Sequence, residues 1–173
     1  MIFLLGGARS GKSRLAISLA SGIGEPVTFI ATAREEDDEM SRRIEDHRRQ
    51  RPELWRVLEA PLDLEAGIES ASDTDTIVVD CVTLWVSNLM IEHADEAILA
   101  MVGSVIATIG DRAGESIVVS NEVGSGLVPM NQVGRRFRDL HGRANQSFAS
   151  AAHTAYLTVA GRALRLQDLD DDR

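Results

Sequence analysis

Residues 1–13 read MIFLLGGARSGKS, and this stretch decides the fold. A short apolar run leads into GGARSGKS (Gly6–Ser13), which matches the pattern G-x-x-x-x-G-K-[ST] of a phosphate-binding P-loop. The match is informative because an apolar strand pattern precedes it and a helical pattern follows it, which is the context that a P-loop requires. The sequence therefore predicts a strand, a phosphate-binding loop and a helix in succession.

The residue types of this loop suit the binding of a triphosphate. Glycine lets the backbone curl so that successive N–H groups point at one phosphate, and the helix N-terminus adds partial positive charge. Lys12 is expected to reach the outer phosphates, and Ser13 to offer its hydroxyl to Mg²⁺. Arg9 either adds charge to the site or points to solvent. The predicted nucleotide-binding residues of the loop are Gly6, Gly7, Ala8, Arg9, Ser10, Gly11, Lys12 and Ser13.

Beyond the loop, short β-branched runs alternate with helical patterns, which predicts parallel strands joined by crossover helices. We expect an α/β fold of the P-loop NTPase (RecA-like) class, a three-layer sandwich with a mostly parallel central sheet and a C-terminal antiparallel hairpin, in a single domain, 1–173. The predicted strands are Ile2–Leu5, Val27–Ala31, Trp55–Glu59, Thr76–Asp80, Ser116–Ser120, Ala155–Val159 and Ala163–Gln167. The predicted helices are Lys12–Ser21, Asp37–Arg49, Pro61–Ser70, Val82–Ala113 and Asn131–Ala152.

A P-loop normally works with a carboxylate at the end of a neighbouring apolar strand, which orients the magnesium ion. Asp80 closes the run TIVVD and fits this position. Ser13 and Asp80 are therefore the predicted metal-site residues. The alternative is that Asp80 caps the following helix.

Two further segments follow predicted strands, at the edge where open α/β sheets bind ligands. One is Ala31-Thr32-Ala33-Arg34, and the other is Ser120-Asn121-Glu122-Val123-Gly124-Ser125-Gly126. Glu122 is a candidate for metal binding or proton transfer, and the glycines would let the loop bend around a substrate. The alternative is a glycine turn with a solvent-facing glutamate.

The composition argues against several classes of protein. A net charge of −9 disfavours nonspecific binding of nucleic acid or anionic membranes, because both require a basic surface. No apolar stretch is long enough to span a bilayer. The single cysteine, Cys81, permits no internal disulfide and is expected to be a buried small hydrophobe. These features predict a cytoplasmic protein with neither a nucleic-acid partner nor a membrane span.

Residues 42–55 read RRIEDHRRQRPELW and place one histidine, His47, among five arginines. On the predicted helix, His47 shares a face with Met40 and Ile44. One interpretation is a half-buried histidine in a solvated basic helix. In the other, nearby cations keep the imidazole neutral and nucleophilic, and the same arginines stabilise charge on a phosphate under attack. Spacing alone does not decide between the two.

Five segments together resemble one family in order and spacing: GGARSGKS, DDEMSRRIEDHRRQRPELW, VVDCVTLW, NEVGSGLVP and GRANQ. The family is the bifunctional adenosylcobinamide kinase / adenosylcobinamide-phosphate guanylyltransferase of cobalamin biosynthesis, and the resemblance covers essentially the whole chain. Many families share the P-loop, whereas the combination of His-x-x-x-Arg-Pro with NEVG is far more specific.

The resemblance implies two reactions. ATP or GTP first phosphorylates the aminopropanol hydroxyl of adenosylcobinamide; GTP then transfers GMP to adenosylcobinamide phosphate through a GMP–histidine intermediate, releasing pyrophosphate. It implies that His47, as the histidine of His-x-x-x-Arg-Pro, is the guanylylated residue, although Asp46 stands where some relatives carry a second histidine. It also implies a homotrimer and nucleotide contacts at Ala31, Thr32, Ala33, Arg48, Arg49, Gln50, Arg51, Glu59 and Asp80.

Two rival functions remain open. One is a P-loop small-molecule kinase without guanylyl transfer, in which His47 is structural. The other is a noncatalytic nucleotide-binding switch. Several conspicuous residues receive structural interpretations: Trp55 and Trp85 are expected to pack, His93, His141 and His153 lack zinc-ligand spacing, and Arg143 and Asn145 are expected to tie a helix to its neighbours.

Overall fold

The structure is a computed structural model that describes residues 1–34, 42, 45, 48–49 and 51–168. Within these ranges, seven strands form one sheet. Each forms where a run rich in β-branched or apolar residues was predicted to be extended, and the second and fourth strands agree with the prediction residue for residue. The strands are β1 (Ile2–Gly6), β2 (Val27–Ala31), β3 (Arg56–Glu59), β4 (Thr76–Asp80), β5 (Ser116–Asn121), β6 (Thr154–Val159) and β7 (Arg162–Arg165).

The strand order is β3-β2-β4-β5-β1-β6-β7. Neighbouring strands pair in parallel from β3 to β6, and β7 pairs antiparallel to β6. The β6–β7 turn contains Ala160 and Gly161, both with positive φ, which is the backbone geometry of a tight hairpin turn. The predicted mostly parallel sheet with a C-terminal antiparallel hairpin is confirmed.

Helices cover both faces of the sheet. The α1 helix packs against β1, β4 and β5 on one face, and the other helices with described bounds pack on the opposite face. Of the predicted helix Asp37–Arg49, the structure describes Arg42, Glu45, Arg48 and Arg49, each with helical backbone. The helices with described bounds are α1 (Lys12–Ile23), α2 (Leu64–Glu69), α3 (Val82–Leu89), α4 (Asp95–Gly110) and α5 (Gln132–Ala151).

The prediction of one long helix over Val82–Ala113 is wrong, because the chain breaks between α3 and α4. A continuous helix over that range would be about 48 Å long, far longer than the strands it would cover. The break is fixed from α5, where Arg136 donates to the carbonyl oxygen of His93 (2.9 Å) and to the carboxylate of Asp95 (2.6 Å). The acidic first turn of α4 also favours a new helix start at Asp95.

The core lies on both sides of the sheet because alternate strand residues point to opposite faces. Ile77 and Val79 of β4 join the cluster beneath α3 and α4, whereas Val78 joins the cluster beneath α1. Trp55 and Trp85 are buried, which confirms that they pack, and Cys81 is buried as expected. Across the described ranges, the helices are all too short or too polar to cross a membrane.

Candidate active site at the P-loop

The P-loop connects β1 to α1 as the sequence predicts. Gly11 has φ of +106° and Arg9 has φ of +55°, so the loop turns through left-handed backbone before the helix begins at Lys12. Gly7, Ala8 and Arg9 are exposed, whereas Ser10 and Lys12 are buried. The Nζ atom of Lys12 donates to the carbonyl oxygen of Gly7 at 2.8 Å, which draws the side chain across the mouth of the loop.

The β6–β7 hairpin supports the loop from behind. The Ser10 hydroxyl lies 2.7 Å from the Thr158 hydroxyl, and the Gly161 N–H donates to the Ser10 carbonyl oxygen at 2.9 Å. A Cβ on Gly6 would collide with the Thr158 backbone and would lie 2.7 Å from the Ser10 hydroxyl oxygen. Only glycine therefore fits at this end of β1, where the loop passes against the hairpin.

The charge of Lys12 is poorly solvated in this position. Burial lowers the pKa of the ammonium from its ordinary value, and the negative field of Asp80 opposes that shift. An incoming phosphate would replace the solvation that burial removes, because anion and ammonium attract more strongly where water is excluded. The site thus favours anion binding by Lys12.

Asp80 ends β4 beside the first turn of α1. Its Oδ2 atom lies 3.4 Å from the Ser13 hydroxyl oxygen. The N-cap position of α3 is occupied by Cys81 rather than by Asp80, and the Cys81 side chain makes no capping hydrogen bond. A hydroxyl and a carboxylate oxygen at this separation form a donor set suited to a hard divalent cation such as Mg²⁺.

On the β2 side of the site, Thr32 ties two strand ends together. Its hydroxyl donates to the Cys81 carbonyl oxygen (2.7 Å) and accepts from the Cys81 N–H (2.8 Å). Its own N–H donates to the Asp80 carbonyl oxygen at 3.2 Å, and no part of the residue is exposed. Ala31 and Ala33 are partly exposed on either side of Thr32.

Three arginines near β2 and β3 have described contacts. The Arg51 guanidinium lies 4.1 Å from the centre of the Phe29 ring, and burial lowers its pKa while Asp80 opposes the shift. Arg48 pairs with Glu59 at 3.3 Å in an exposed ion pair, and Arg49 pairs with Glu45 at 3.4 Å. Arg51 thus approaches the Asp80 side of the P-loop.

His47 and Gln50, together with Asp46, lie outside the described residues. The predicted roles of His47 and Gln50 stay predictions.

On the β5 side, Asn121 ends the strand and Glu122 begins the loop beyond it. The Glu122 N–H donates to the Gly6 carbonyl oxygen at 2.9 Å, which joins this loop directly to the P-loop. The Oε1 atom of Glu122 accepts hydrogen bonds from the N–H groups of Gly124 (2.5 Å) and Ser125 (2.9 Å). The carboxylate is therefore held near the phosphate-binding edge by its own loop.

Sequence reasoning missed a buried polar cluster beneath Asn121. The Ser120 hydroxyl lies 3.0 Å from His141 Nε2 and donates to Asn145 Oδ1 at 2.6 Å, while His141 Nε2 lies 3.1 Å from the Thr83 hydroxyl. The prediction that Asn145 ties its helix to a neighbour is confirmed, since it reaches the end of β5. The four residues are dispersed over three elements of the chain, α3, β5 and α5, so no continuous sequence pattern marks them.

Comparison with known proteins gives a consistent family. Residues 2–166 match the family model described as cobinamide kinase / cobinamide phosphate guanyltransferase. The chain is 42% identical over 165 residues to the bifunctional adenosylcobalamin biosynthesis protein CobP of Pseudomonas aeruginosa, covering 95% of both chains. It is 38% identical to the bifunctional adenosylcobalamin biosynthesis protein CobU of Escherichia coli, covering 96% of this chain and 99% of the relative.

The protein of the same name from Salmonella typhimurium is 37% identical over 181 residues, with the same coverage. Among solved structures, a Pyrococcus horikoshii OT3 protein matches with a TM-score of 0.56 at 8% sequence identity, covering 99% of this chain and 87% of the other. At that identity, the likeness concerns the fold alone.

Proposed function

The chain belongs to the cobinamide kinase / cobinamide phosphate guanyltransferase family, and on that premise we propose how its residues divide the two reactions. It is a kinase and a nucleotidyltransferase of cobalamin biosynthesis, with cobinamide, cobinamide phosphate and nucleoside triphosphates as substrates. The observation that carries this conclusion is the P-loop beside Asp80 in a chain that matches the family over residues 2–166. The acceptor form expected is adenosylcobinamide.

In the kinase step, the P-loop holds the β- and γ-phosphates of ATP or GTP. Lys12 leaves the Gly7 carbonyl oxygen to contact the outer phosphates, and the loop N–H groups bind the phosphate oxygens. The acceptor hydroxyl oxygen forms a bond to the γ-phosphorus as the bond from that phosphorus to the β–γ bridging oxygen breaks. The nucleoside diphosphate leaves with the bond electrons, and the hydroxyl proton passes to a base.

Ser13 and Asp80 would hold Mg²⁺ in this step. The separation of 3.4 Å between their oxygen atoms and the oxygen-only donor set support the assignment. When bound, the ion neutralises charge on the phosphates and orients them. Ser13 itself sits in the first turn of α1, so its hydroxyl stays close to the loop that binds the phosphates.

In the guanylyl step, the same loop holds the part of GTP that departs. A neutral nitrogen of His47 attacks the α-phosphorus, the bond to the α–β bridging oxygen breaks, and pyrophosphate leaves. An oxygen of the acceptor phosphate then attacks the phosphorus of the GMP–histidine adduct and regenerates the imidazole. Lys12, Arg48 and Arg51 would stabilise the charge on the departing pyrophosphate.

The β2–β3 edge is the proposed nucleoside side of the site. Ala31 and Ala33 offer backbone groups there, and Glu59 ends β3 next to them in the sheet. The carboxylate of Glu59 is paired with Arg48 in an exposed ion pair, so a guanosine hydroxyl or base edge can exchange for it at little cost. Arg49 and Gln50 complete the proposed nucleotide-binding set.

Asn121 and Glu122 face the acceptor in this proposal. Glu122 is joined to the P-loop through the Gly6 carbonyl oxygen, which keeps its carboxylate near the transferred phosphate. It is the proposed base for the acceptor hydroxyl. We also propose that subunits share the corrinoid site, because one such chain offers little surface to enclose so large a substrate, and the family resemblance suggests a homotrimer. The single buried thiol supports a cytoplasmic location.

The experiment that tests the proposal uses GTP labelled at the α-phosphate. The wild-type chain should form an acid-labile, base-stable covalent adduct and release pyrophosphate, and adenosylcobinamide phosphate should discharge the label. His47→Ala should lose the adduct and keep the kinase step. Kinase activity in a wild-type chain that never takes up label would instead support a simple kinase, and reversible nucleotide binding without turnover would support a switch.

A further inference from the structure

The buried polar cluster on the β5 side has no part in the proposed reactions. It consists of Thr83 on α3, Ser120 on β5, and His141 and Asn145 on α5, and we call it the β5 network. Ser120 and His141 have no exposed surface, and Thr83 and Asn145 are 7% exposed. Four polar side chains from three elements are costly to bury unless their hydrogen bonds are mutually satisfied.

One assignment of protons satisfies the β5 network. Ser120 donates its only proton to Asn145 Oδ1, so it accepts from His141, which requires a proton on Nε2. Nε2–H then also points to the Thr83 hydroxyl oxygen. The amide group of Asn145 faces His141 Nδ1 at 3.5 Å, so Nδ1 accepts and carries no proton. The imidazole is therefore neutral and fixed as one tautomer.

Protonation of His141 would break this arrangement. A second ring proton on Nδ1 would face the Asn145 amide donor, and the cationic ring would be buried. Burial lowers the pKa of His141 from 6.5 to about 4, with the Glu122 carboxylate opposing the shift. The neutral form required by the hydrogen bonds is therefore the form that exists at neutral pH.

The β5 network ends on both backbone groups of Asn121. The Asn121 N–H donates to the Thr83 hydroxyl oxygen at 2.7 Å, and its carbonyl oxygen accepts from the Asn145 amide at 3.2 Å. The next residue, Glu122, donates its N–H to Gly6 at the start of the P-loop. A continuous series of contacts thus runs from α5 to the phosphate-binding loop.

We propose that Thr83, Ser120, His141 and Asn145 are positioning residues that fix the Asn121–Glu122 peptide against the P-loop and so set the Glu122 carboxylate for phosphoryl transfer. This inference rests on the proposed function, since it assumes that the acceptor reacts beside Glu122. None of the four residues contacts the reacting atoms. They act through the backbone at the end of β5, which fixes the main-chain position of Glu122 and therefore the point from which its side chain extends.

The test compares two substitutions at one position. Thr83→Val keeps the side-chain shape but removes the hydroxyl that accepts from Asn121, whereas Thr83→Ser retains it. With adenosylcobinamide and ATP, Thr83→Val should lower kcat toward the roughly 100-fold loss that a misplacement of about 1 Å can cause. The Kd for ATP should stay within about threefold, because the P-loop contacts remain, and Thr83→Ser should restore most of kcat.

Two further variants keep the outcome clear if Thr83→Val folds poorly. Ser120→Ala removes a buried hydroxyl without adding volume and should reproduce the loss of kcat. The matched control is Ser104→Ala, which removes a hydroxyl that donates to Glu65 at 2.6 Å on a distant helix pair. It should lower stability without changing kcat.

The results separate the two levels of the proposal. A wild-type chain without kinase activity would overturn the proposed function itself. An active wild-type chain with unchanged kcat in both Thr83→Val and Ser120→Ala would overturn the positioning role alone. So would an equal loss of kcat in Ser104→Ala, or a loss confined to ATP affinity.

Discussion

The two flanks of the P-loop are held by different kinds of contact. Toward β2 and β3, the site is bordered by charged groups, including the exposed pair of Arg48 and Glu59 and the Arg51 guanidinium over Phe29. Toward β5, it is bordered by the neutral, buried β5 network. Charged groups near solvent exchange partners at small cost, whereas a satisfied buried network has one arrangement.

This difference matches what two successive reactions at one phosphate-binding loop require. In the proposed cycle, the nucleotide is attacked first at its γ-phosphorus and then at its α-phosphorus, so the nucleotide flank must adapt. In the proposed kinase step the acceptor hydroxyl reacts beside Glu122, so the β5 flank needs only one arrangement. The comparison makes graded predictions about mutation and pH.

The largest effect is expected at Lys12, which serves both flanks. Lys12→Ala should lower kcat/KM for both reactions by about 1000-fold, because it removes a preorganised cation from the transferred or departing phosphates. Steady-state kinetics of each step with adenosylcobinamide and its phosphate measure the loss. If the variant lost only one of the two activities, the two reactions would not share the phosphate contact made by Lys12.

The second-largest effect is expected from a change of pH, which should act on the β5 flank. His141 has a folded-state pKa of about 4, below its ordinary 6.5, so the stability that the neutral ring contributes is complete above pH 6.5. It is lost as the pH falls through about 4, because the unfolded chain binds the proton first. The free energy of unfolding should fall by up to about 3 kcal/mol over this interval, as measured by urea titration.

A control variant isolates this histidine from the other titrating groups. His141→Gln replaces the imidazole with a side-chain amide, which can still form hydrogen bonds but does not titrate. Its free energy of unfolding should depend less on pH between 6.5 and 4 than that of the wild type. Parallel curves for the two proteins would contradict the assignment of a buried neutral imidazole.

Substitutions of Thr32 test whether the β2 flank also contains a fixed, buried connection. Its hydroxyl satisfies both backbone groups of buried Cys81, so Thr32→Val should lower the free energy of unfolding by about 2 kcal/mol. Thr32→Ser keeps the hydroxyl and should recover part of that loss. If thermal unfolding showed no difference between the two variants, the connection between β2 and β4 would be unimportant for stability.

The smallest effect is expected at Glu59. Because its ion pair with Arg48 is exposed, Glu59→Gln should change the free energy of unfolding by less than about 1 kcal/mol. The same variant should raise the KM for GTP more than that for ATP if Glu59 contacts guanosine. Equal changes for both nucleotides would place Glu59 away from the base.

How far the sequence predicts this molecule depends on whether the determining residues are close together in the chain. The P-loop and β4 follow from continuous patterns, GGARSGKS and TIVVD, whose local context is sufficient. The break between α3 and α4 does not, because Arg136, more than 40 residues later, fixes it through His93 and Asp95.

The candidate site shows the same division. Ser13 and Asp80 are brought together as the motif predicts, at 3.4 Å. The β5 network could not be predicted, because a lone histidine such as His141 carries no signal until the fold places Ser120 and Asn145 beside it. For His47, spacing alone leaves the role open, and the resemblance to the family supplies the predicted one.

The packing of the β6–β7 hairpin behind the P-loop has a consequence for biosynthesis of the chain. Translation makes residues 6–13 long before Thr158 and Gly161, which support Ser10, and Thr158 lies 148 positions beyond Ser10. A nascent chain that has not yet released β6 from the ribosome lacks one of the two strands that pair with β1, and it also lacks the hairpin that supports the loop. Capture of a triphosphate therefore has to wait until the hairpin is made, long after the motif responsible for it has left the exit tunnel.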